Sequence, residues 1–327
     1  MLGASVSRLR EHVDIQVAEA LASAAERKDW PELDAHVAWI SEPGNHLLTL
    51  ADETYPRALL DLPDAPAVLF VKGDPALLSR SSLSVVGSRQ ATPQGLENAE
   101  AFSENFSQSG YAIVSGLAAG IDAAAHRGGL SGAGSTVAVV GTGLDRVYPA
   151  SNRSLAHDIA VRGALVSEFP LGFPPRAEHF PRRNRLIAAL GVGCLVVEAT
   201  LGSGSLITAK QAAELGREVF AIPGSIHSPQ SKGCHYLIKQ GAKLAESAQD
   251  ILEELSLPSL PGLAAPQANP QGEDSVLLQQ LGWESVDMDT LTGRTGMRVD
   301  ELAASLLALE LEGRIASLPG GRYQRRV

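Results

Sequence analysis

Between residues 82 and 222 one pattern repeats: a short, unbroken apolar run, then a stretch of helical length. The runs read "LSVVG", "YAIVSG", "TVAVVG", "ALVSEF", "CLVVEA" and "EVFAIPG". A half-exposed strand would alternate apolar and polar residues, whereas these runs are continuous and suit strands buried on both faces. Strands of that kind, separated by helices, assemble into a parallel sheet. The pattern therefore predicts an α/β fold, a doubly wound, mostly parallel sheet. Helix-end residues agree. Thr92-Pro93 supplies an N-cap with proline at the first helical position, and Gly110 ends that helix. Ser203 or Ser205 is expected to cap a helix that Gly216 closes.

The flanks differ in character. Residues 1 to about 45 are rich in Ala, Leu and Glu with breaks at Pro31 and Pro43-Gly44, and 1–48 is read as a small N-terminal helical domain. The sheet domain is placed at 49–252, with one further short strand around Ala67–Val71 between proline-rich turns. A Pro/Gly/Ala-rich linker over 253–273 follows. Residues 274–327 show three helical segments and two strand-like pieces around Pro319-Gly320-Gly321, a winged-helix-like rhythm. The two cysteines, Cys194 and Cys234, offer neither a disulfide framework nor metal-ligand spacing, so no metal and no cofactor are expected. Without a signal-peptide core or an apolar stretch of spanning length, no membrane association is expected, and the composition suits a reducing cytoplasmic setting.

Net charge is −10, but it is unevenly spread. Residues 80–245 hold 15 Lys/Arg against 11 Asp/Glu, whereas 1–79 and 246–327 each hold 6 against 13. An acidic chain with a basic centre is no general nucleic-acid coat, yet it can carry a local anion site. The loops that end the strands read "GSRQAT", "SGLAAGID", "GTGLD", "SEFPLG" and "EATLGSGS". In an open parallel sheet such loops line the ligand edge, and small residues let backbone N–H groups and helix N-termini approach phosphates. No G-x-G-x-x-G follows the first strand and no P-loop is present, which disfavours an NAD or ATP enzyme. Arg89, in "GSR", offers a guanidinium fork to a phosphate instead.

The stretch "EHFPRRNRLIAAL", residues 178–190, concentrates the positive charge. With Pro181 in the first turn of a helix to about Leu190, Leu186, Ile187 and Leu190 form its buried stripe. Arg183 falls in that stripe, so it is expected to project past the sheet edge and meet an anion. Arg182 flanks the stripe, and Arg185 lies opposite as the more structural member. Phe180 precedes the helix, and either offers its ring face to a base or packs back as a hydrophobic staple. Arginines interleaved with an aromatic at a helix start suit single-stranded nucleic acid. Asp122 and His126, at i and i+4, could ligate a metal or share a proton, but an aspartate near a helix start is more often a partner of the helix dipole.

The series "VVGSR", "SGLAAGIDAAAH", "GTGLDRVYP", "SEFP", "FPRRNRLIAAL", "VVEATLGSGSLITAKQA", "GREVFAIPG" and "GCHYLIKQGA", collinear over about residues 54–252, closely resembles the DNA-processing protein A (DprA/Smf) family. The C-terminal segment looks like the winged-helix module of many members, and the N-terminal helices like its small SAM-like domain. The resemblance implies a bacterial cytosolic protein with an extended Rossmann-like domain, usually a homodimer, that binds single-stranded DNA and helps load the RecA recombinase, chiefly in natural transformation, without enzymatic activity. It carries single-strand contacts onto Gly87, Ser88 and Arg89; onto Ser115, Gly116 and Gly120, beside Asp122; onto Phe180, Pro181, Arg183, Asn184 and Arg185; and onto Ser203, Gly204, Ser205 and Thr208, with Arg182 counted as a contact from its place in the basic patch. It also raises Phe180 as a stacking residue. The third winged-module helix, Val299–Leu311, departs from a DNA reader: it holds Asp300, Glu301 and Glu310 and no Lys or Arg. That module is expected to contact protein, or to use only Arg322, Arg325 and Arg326 on phosphates. The rival reading is a LOG-like nucleotide phosphoribohydrolase. Its catalytic glutamate would follow a Gly-rich loop, whereas Glu198 precedes the loop here.

Overall fold

The computed structural model describes residues 5–26, 31–257 and 276–326, so most of the expected linker lies outside the described residues. By contacts the chain divides into two units, Met1–Asn45 and His46–Val327. The first holds α1 (Val6–Leu9), α2 (Ile15–Glu26) and α3 (Pro31–Ile40). Ser5 accepts from the Arg8 N–H to cap α1, Asp14 accepts from the Val17 N–H at the start of α2, and Asn45 Nδ2 donates to the Trp39 carbonyl at the end of α3.

The second unit is built on nine strands: β1 (Asn45–Thr49), β2 (Val68–Gly73), β3 (Ser82–Val86), β4 (Ala112–Ser115), β5 (Thr136–Val139), β6 (Ala164–Ser167), β7 (Gly193–Val196), β8 (Glu218–Ala221) and β9 (Lys243–Leu244). Their order is β1-β2-β6-β5-β4-β3-β7-β8-β9. Every pairing from β6 through to β9 is parallel, and β2 joins β6 antiparallel. The doubly wound, mostly parallel sheet expected from the apolar runs is thus present, extended at one edge by strands that fall outside the regular pattern.

Seven helices belong to this sheet: α4 (Pro93–Gln108), α5 (Ile121–Leu130), α6 (Arg153–Arg162), α7 (His179–Leu190), α8 (Ser205–Glu214), α9 (Lys232–Lys239) and α10 (Ala248–Glu254). Successive strand residues serve opposite layers, as a pleat requires. Leu83, Val85, Leu195 and Val197 pack with Phe106 of α4, Ile121 of α5 and Ile251 of α10. Val86, Cys194 and Val196 pack with Ile187 of α7, Ala209 of α8 and Leu237 of α9. Thr92 caps α4 by accepting from the Gly95 N–H, and Gly110 follows it at φ 88°. The start of α8 differs from the expectation. Gly204 is its N-cap residue without a side-chain bond, and Ser203 and Ser205 bond each other, Oγ to Oγ at 2.6 Å.

The C-terminal segment holds α11 (Val276–Leu281), β10 (Val286–Asp287), α12 (Met288–Thr295), α13 (Val299–Leu311), β11 (Ile315–Leu318) and β12 (Arg322–Arg325). Three helices and a β11–β12 hairpin form the winged helix, with Leu278, Leu291, Leu302 and Leu306 at its core. A short strand, β10, also pairs with β12. Sequence reading missed it because two residues carry no period.

Candidate nucleic-acid interface

The strand order reverses at β3. From it the chain winds outward through β4, β5 and β6, then returns to lay β7 along its other side. Leu83 of β3 is flanked by Ile113 of β4 and Gly193 of β7. At such a switch point the loops leaving neighbouring strands diverge and open a crevice beyond their carboxyl ends. Here that crevice is a cleft of about 780 Å³, bounded by Gly87–Gln90 after β3, Ala118 and Asp122 after β4, the start of α7, and Thr200 and Ser203–Ser205 after β7.

Over the cleft stands a cluster of rings and cations. Arg89 is exposed, and its guanidinium lies 5.6 Å from the centre of the Phe180 ring. Tyr148, half exposed, sits on Phe180 with ring centres 5.6 Å apart. The helix explains the placement. α7 begins at His179, two residues earlier than the sequence reading put it, so Phe180 belongs to its first turn. There its ring meets Arg89 and Tyr148, partners that a staple folded onto its own helix would not have. The start of α8 borders the same cleft through Ser203, Gly204 and Ser205, while the Leu206 and Ile207 N–H groups are taken by the Ser203 and Gly204 carbonyls.

Beneath the cleft the loop 116–120 is fastened from several sides. Arg183 is 3% exposed and donates to the carbonyls of Gly116 and Val139. This departs from the expectation that Arg183 reaches outward: its Nη1 is engaged with the protein, and its buried Nε has no partner. A Cβ on Gly116 would come within 2.3 Å of that same guanidinium, so only glycine fits. Asp122 accepts from the Ala118 N–H at 3.3 Å. Burial raises the Asp122 carboxyl, and Arg183 and the Ala118 and Gly116 N–H groups hold it down against this. Burial and the charge of Arg89 draw the Arg183 guanidinium down to about 10, against the pull of Asp122.

His126 completes the fastening. Its Nε2 accepts from the Leu117 N–H at 3.2 Å, and Nδ1 lies 2.7 Å from Thr136 Oγ1. Because the Thr136 hydroxyl donates to the Ile113 carbonyl, Nδ1 must carry the proton and the ring is neutral. Burial, with Arg183 and Arg127 nearby, pushes the imidazole down to about 3. Asn152 Nδ2 reaches the Leu117 and Ala118 carbonyls. Asp122 and His126 are therefore engaged in holding the loop. Among the described residues no group of three or more His, Cys, Asp or Glu is disposed to hold a metal.

Of the residues singled out from sequence, Gly87, Ser88, Arg89, Phe180, Arg183, Asn184, Ser203, Gly204, Ser205 and Thr208 line the cleft. Ser115, Gly116 and Gly120 lie behind it. The Ser115 hydroxyl donates to the Val85 carbonyl, and Gly120, at φ 79°, passes so close to the Ser88 carbonyl that a Cβ would sit 2.2 Å from it. Arg182 and Arg185 turn to the other side of α7. Both pair with Glu168, at 3.2 and 2.6 Å, and Arg185 also with Asp64 at 3.1 Å. The structural reading of Arg185 describes this geometry. Tyr148, Arg176 and Gln230 line the cleft without having been picked out. Tyr148 stands in the "GTGLDRVYP" run, where an aromatic just past a strand-ending loop was the available signal.

Glu198, the acid of the rival enzymatic reading, accepts from the Thr92 N–H at 2.9 Å and from Thr92 Oγ1 at 2.6 Å. It supports the cap of α4 from beneath. Burial raises its carboxyl above the ordinary value.

Family models and known proteins converge on one group. The family described as DNA recombination-mediator protein A matches residues 46–256, and the DprA winged helix domain matches residues 261–321. Protein Smf of Escherichia coli is 43% identical over 305 residues, covering 90% of this chain and 81% of its own. DNA processing protein DprA of Streptococcus pneumoniae is 48% identical over 206 residues, 63% of this chain and 73% of its own. The X-ray structure of DNA processing protein A from Streptococcus pneumoniae superposes with a TM-score of 0.67 at 41% identity, covering 76% of this chain and 91% of that one. A structure of DNA processing protein A from Helicobacter pylori, described for its single-stranded DNA binding mode, gives 0.59 at 29% identity over 64% of this chain and 96% of that one.

Proposed function

The chain belongs to the DNA recombination-mediator protein A family, and on that premise we propose that it is a single-stranded DNA-binding protein of DNA processing, acting through the switch-point cleft. One observation carries the reading. Arg89, Phe180 and the serines at the start of α8, Ser203 and Ser205, border a single cleft, and so offer a cation, an aromatic ring and hydroxyl groups together. A nucleotide strand presents the complementary pair, phosphate and base, at every step. The cleft's Arg89, Arg176 and Arg183 outweigh Asp122, and the single-strand description of the Helicobacter pylori relative supports the same assignment.

In this proposal the protein works by binding rather than catalysis. The geometry of Glu198, with both oxygens taken by Thr92, favours that over a phosphoribohydrolase. RecA loading and a homodimer belong to the proposal as well, supported by family membership. Sedimentation of the full chain tests the dimer, and RecA filament growth on strand precoated with single-strand-binding protein tests loading. No effect of the chain on that growth would sink the loading role.

The decisive measurement is fluorescence anisotropy on a single-stranded oligonucleotide and its duplex over a salt series, for wild type and Arg89→Ala. Single strands should bind tighter. Arg89→Ala should flatten the log–log salt slope by about 0.7, the contribution of one phosphate contact on a single strand. Equal binding of both forms with an unchanged slope would overturn the reading.

A further inference from the structure

A second hollow, of about 440 Å³, lies between the sheet and the winged helix. It adjoins the first cleft across a low ridge. Gln90 and Gln230 face the cleft, Thr92 and Pro229 face the hollow, and Gln230 Nε2 donates to the Gln90 carbonyl at 3.0 Å between them. A strand leaving the cleft on this side would pass Gln90 and Gln230 to reach the hollow.

The winged helix furnishes the hollow with two features that its own stability does not require. Trp283 is 54% exposed, and the Arg325 guanidinium lies 4.5 Å from its ring centre. A large indole kept in solvent and backed by a cation is a stacking surface. Gln324 is only 6% exposed; its Nε2 donates to the Trp283 carbonyl at 3.3 Å, while its buried Oε1 has no partner among the described residues. Turning the amide over would set two carbonyl oxygens against each other, so the acceptor stays unpaired. A buried acceptor without a donor is destabilising and calls for an N–H from elsewhere. Gln94 Oε1, on the opposite wall, is likewise buried and without a partner. The nearby cations are engaged: Arg322 donates to the Ser285 carbonyl and Arg326 pairs with Glu97.

A flat aromatic face beside unmet acceptors, with its cations committed, suits a planar heterocycle bearing N–H donors better than a phosphate. We infer that this hollow is a nucleobase site, filled by a base of the same single strand that occupies the cleft. It favours bases with an exocyclic amino group, such as cytosine, over thymine. The inference rests on the single-strand reading above, and its test separates the two.

Full-length protein is titrated with oligodeoxycytidylates of about 4 and about 20 nucleotides, the short one able to fill a single site only, and with an oligodeoxythymidylate of about 20. Anisotropy and tryptophan emission are followed for wild type, Trp283→Ala and Gln324→Met. The long strand should quench emission in wild type and not in Trp283→Ala. Trp283→Ala should bind the long strand roughly 5- to 100-fold more weakly, as loss of one stacked base implies, and the short strand equally well. Gln324→Met, which keeps the length and removes the acceptor, should erase the preference for cytidylate over thymidylate. Equal long-strand affinity in wild type and Trp283→Ala, without quenching, overturns the second site and leaves the first standing. Failure of wild type to bind either strand overturns both. Quenching by free deoxycytidine monophosphate, with long-strand binding indifferent to Trp283, overturns the strand as the source and makes a mononucleotide the occupant.

Discussion

Arg89 and Arg183 share a side-chain type and a cleft, and they do different work. Arg89 is exposed and, among the described residues, makes no side-chain hydrogen bond that would have to break before a phosphate could take it. Arg183 is buried under the loop 116–120, bonded to Gly116 and Val139 with the charge of Asp122 beside it. Removing the guanidinium takes the donor from two buried carbonyls and the cation from beside Asp122, and each buried acceptor left unsatisfied costs about 1–3 kcal/mol. Arg183→Gln should therefore lower the melting temperature sharply, while Arg89→Ala should stay within about 0.5 kcal/mol of wild type. Thermal melts of the two variants side by side check this. A stable Arg183→Gln chain with lost DNA binding would instead make Arg183 a direct contact. The position of Arg183 on a buried stripe was legible in the sequence; its partners were not. The carbonyls of Gly116 and Val139 are 67 and 44 residues away and reach it only through the β4 and β5 loops.

At the scale of the element, the loop from β4 to α5 behaves as a fixed part. His126 holds it as a neutral ring whose folded value is pushed down from 6.5 to about 3, by burial first. The unfolded chain therefore takes up a proton before the folded one does. The stability that His126 contributes is complete above about 6.5 and drains away as pH falls from there toward about 3. Urea midpoints at about pH 7.5 and about pH 5.5 should drop for wild type, and drop less for His126→Gln, which has no proton to gain. The strands of this domain were readable because runs buried on both faces leave no other option, and the cap at Thr92 because its chemistry is local. The start of α7 was misplaced by two residues: Pro181 suggested the first turn, but proline is tolerated throughout that turn. Tyr148 was passed over because its meeting with Phe180 is tertiary, and spacing along the chain does not record it.

For the whole molecule, charge is segregated. The cleft gathers arginines, while α13, where a winged helix would ordinarily read duplex DNA, carries Asp300, Glu301 and Glu310 and no lysine or arginine. Val299, Leu307 and Leu311 are also exposed on it, which suits a protein contact better than a groove. Neutralising the three acids together, Asp300→Asn, Glu301→Gln and Glu310→Gln, should raise duplex affinity measured by anisotropy and leave affinity for a short single strand unchanged. Unaltered duplex affinity would show that these acids do not steer the chain away from polyanions. This sign pattern was visible in the sequence, since it depends only on which residues a helix contains. The contact of Arg326 with Glu97 was not, because it joins residues 229 apart.

The guanidinium of Arg89 over the face of Phe180 means that the seat a base would take is already occupied. A nucleoside alone would have to evict a cation that has nowhere better to go. A bare phosphate would have to pull the cation off a ring that nothing else then covers. Only a ligand bringing both compensates each departure with an arrival. On the proposed reading the pair thus acts as a conjunction: it favours a ligand that brings base and phosphate together over a nucleoside or a phosphate alone.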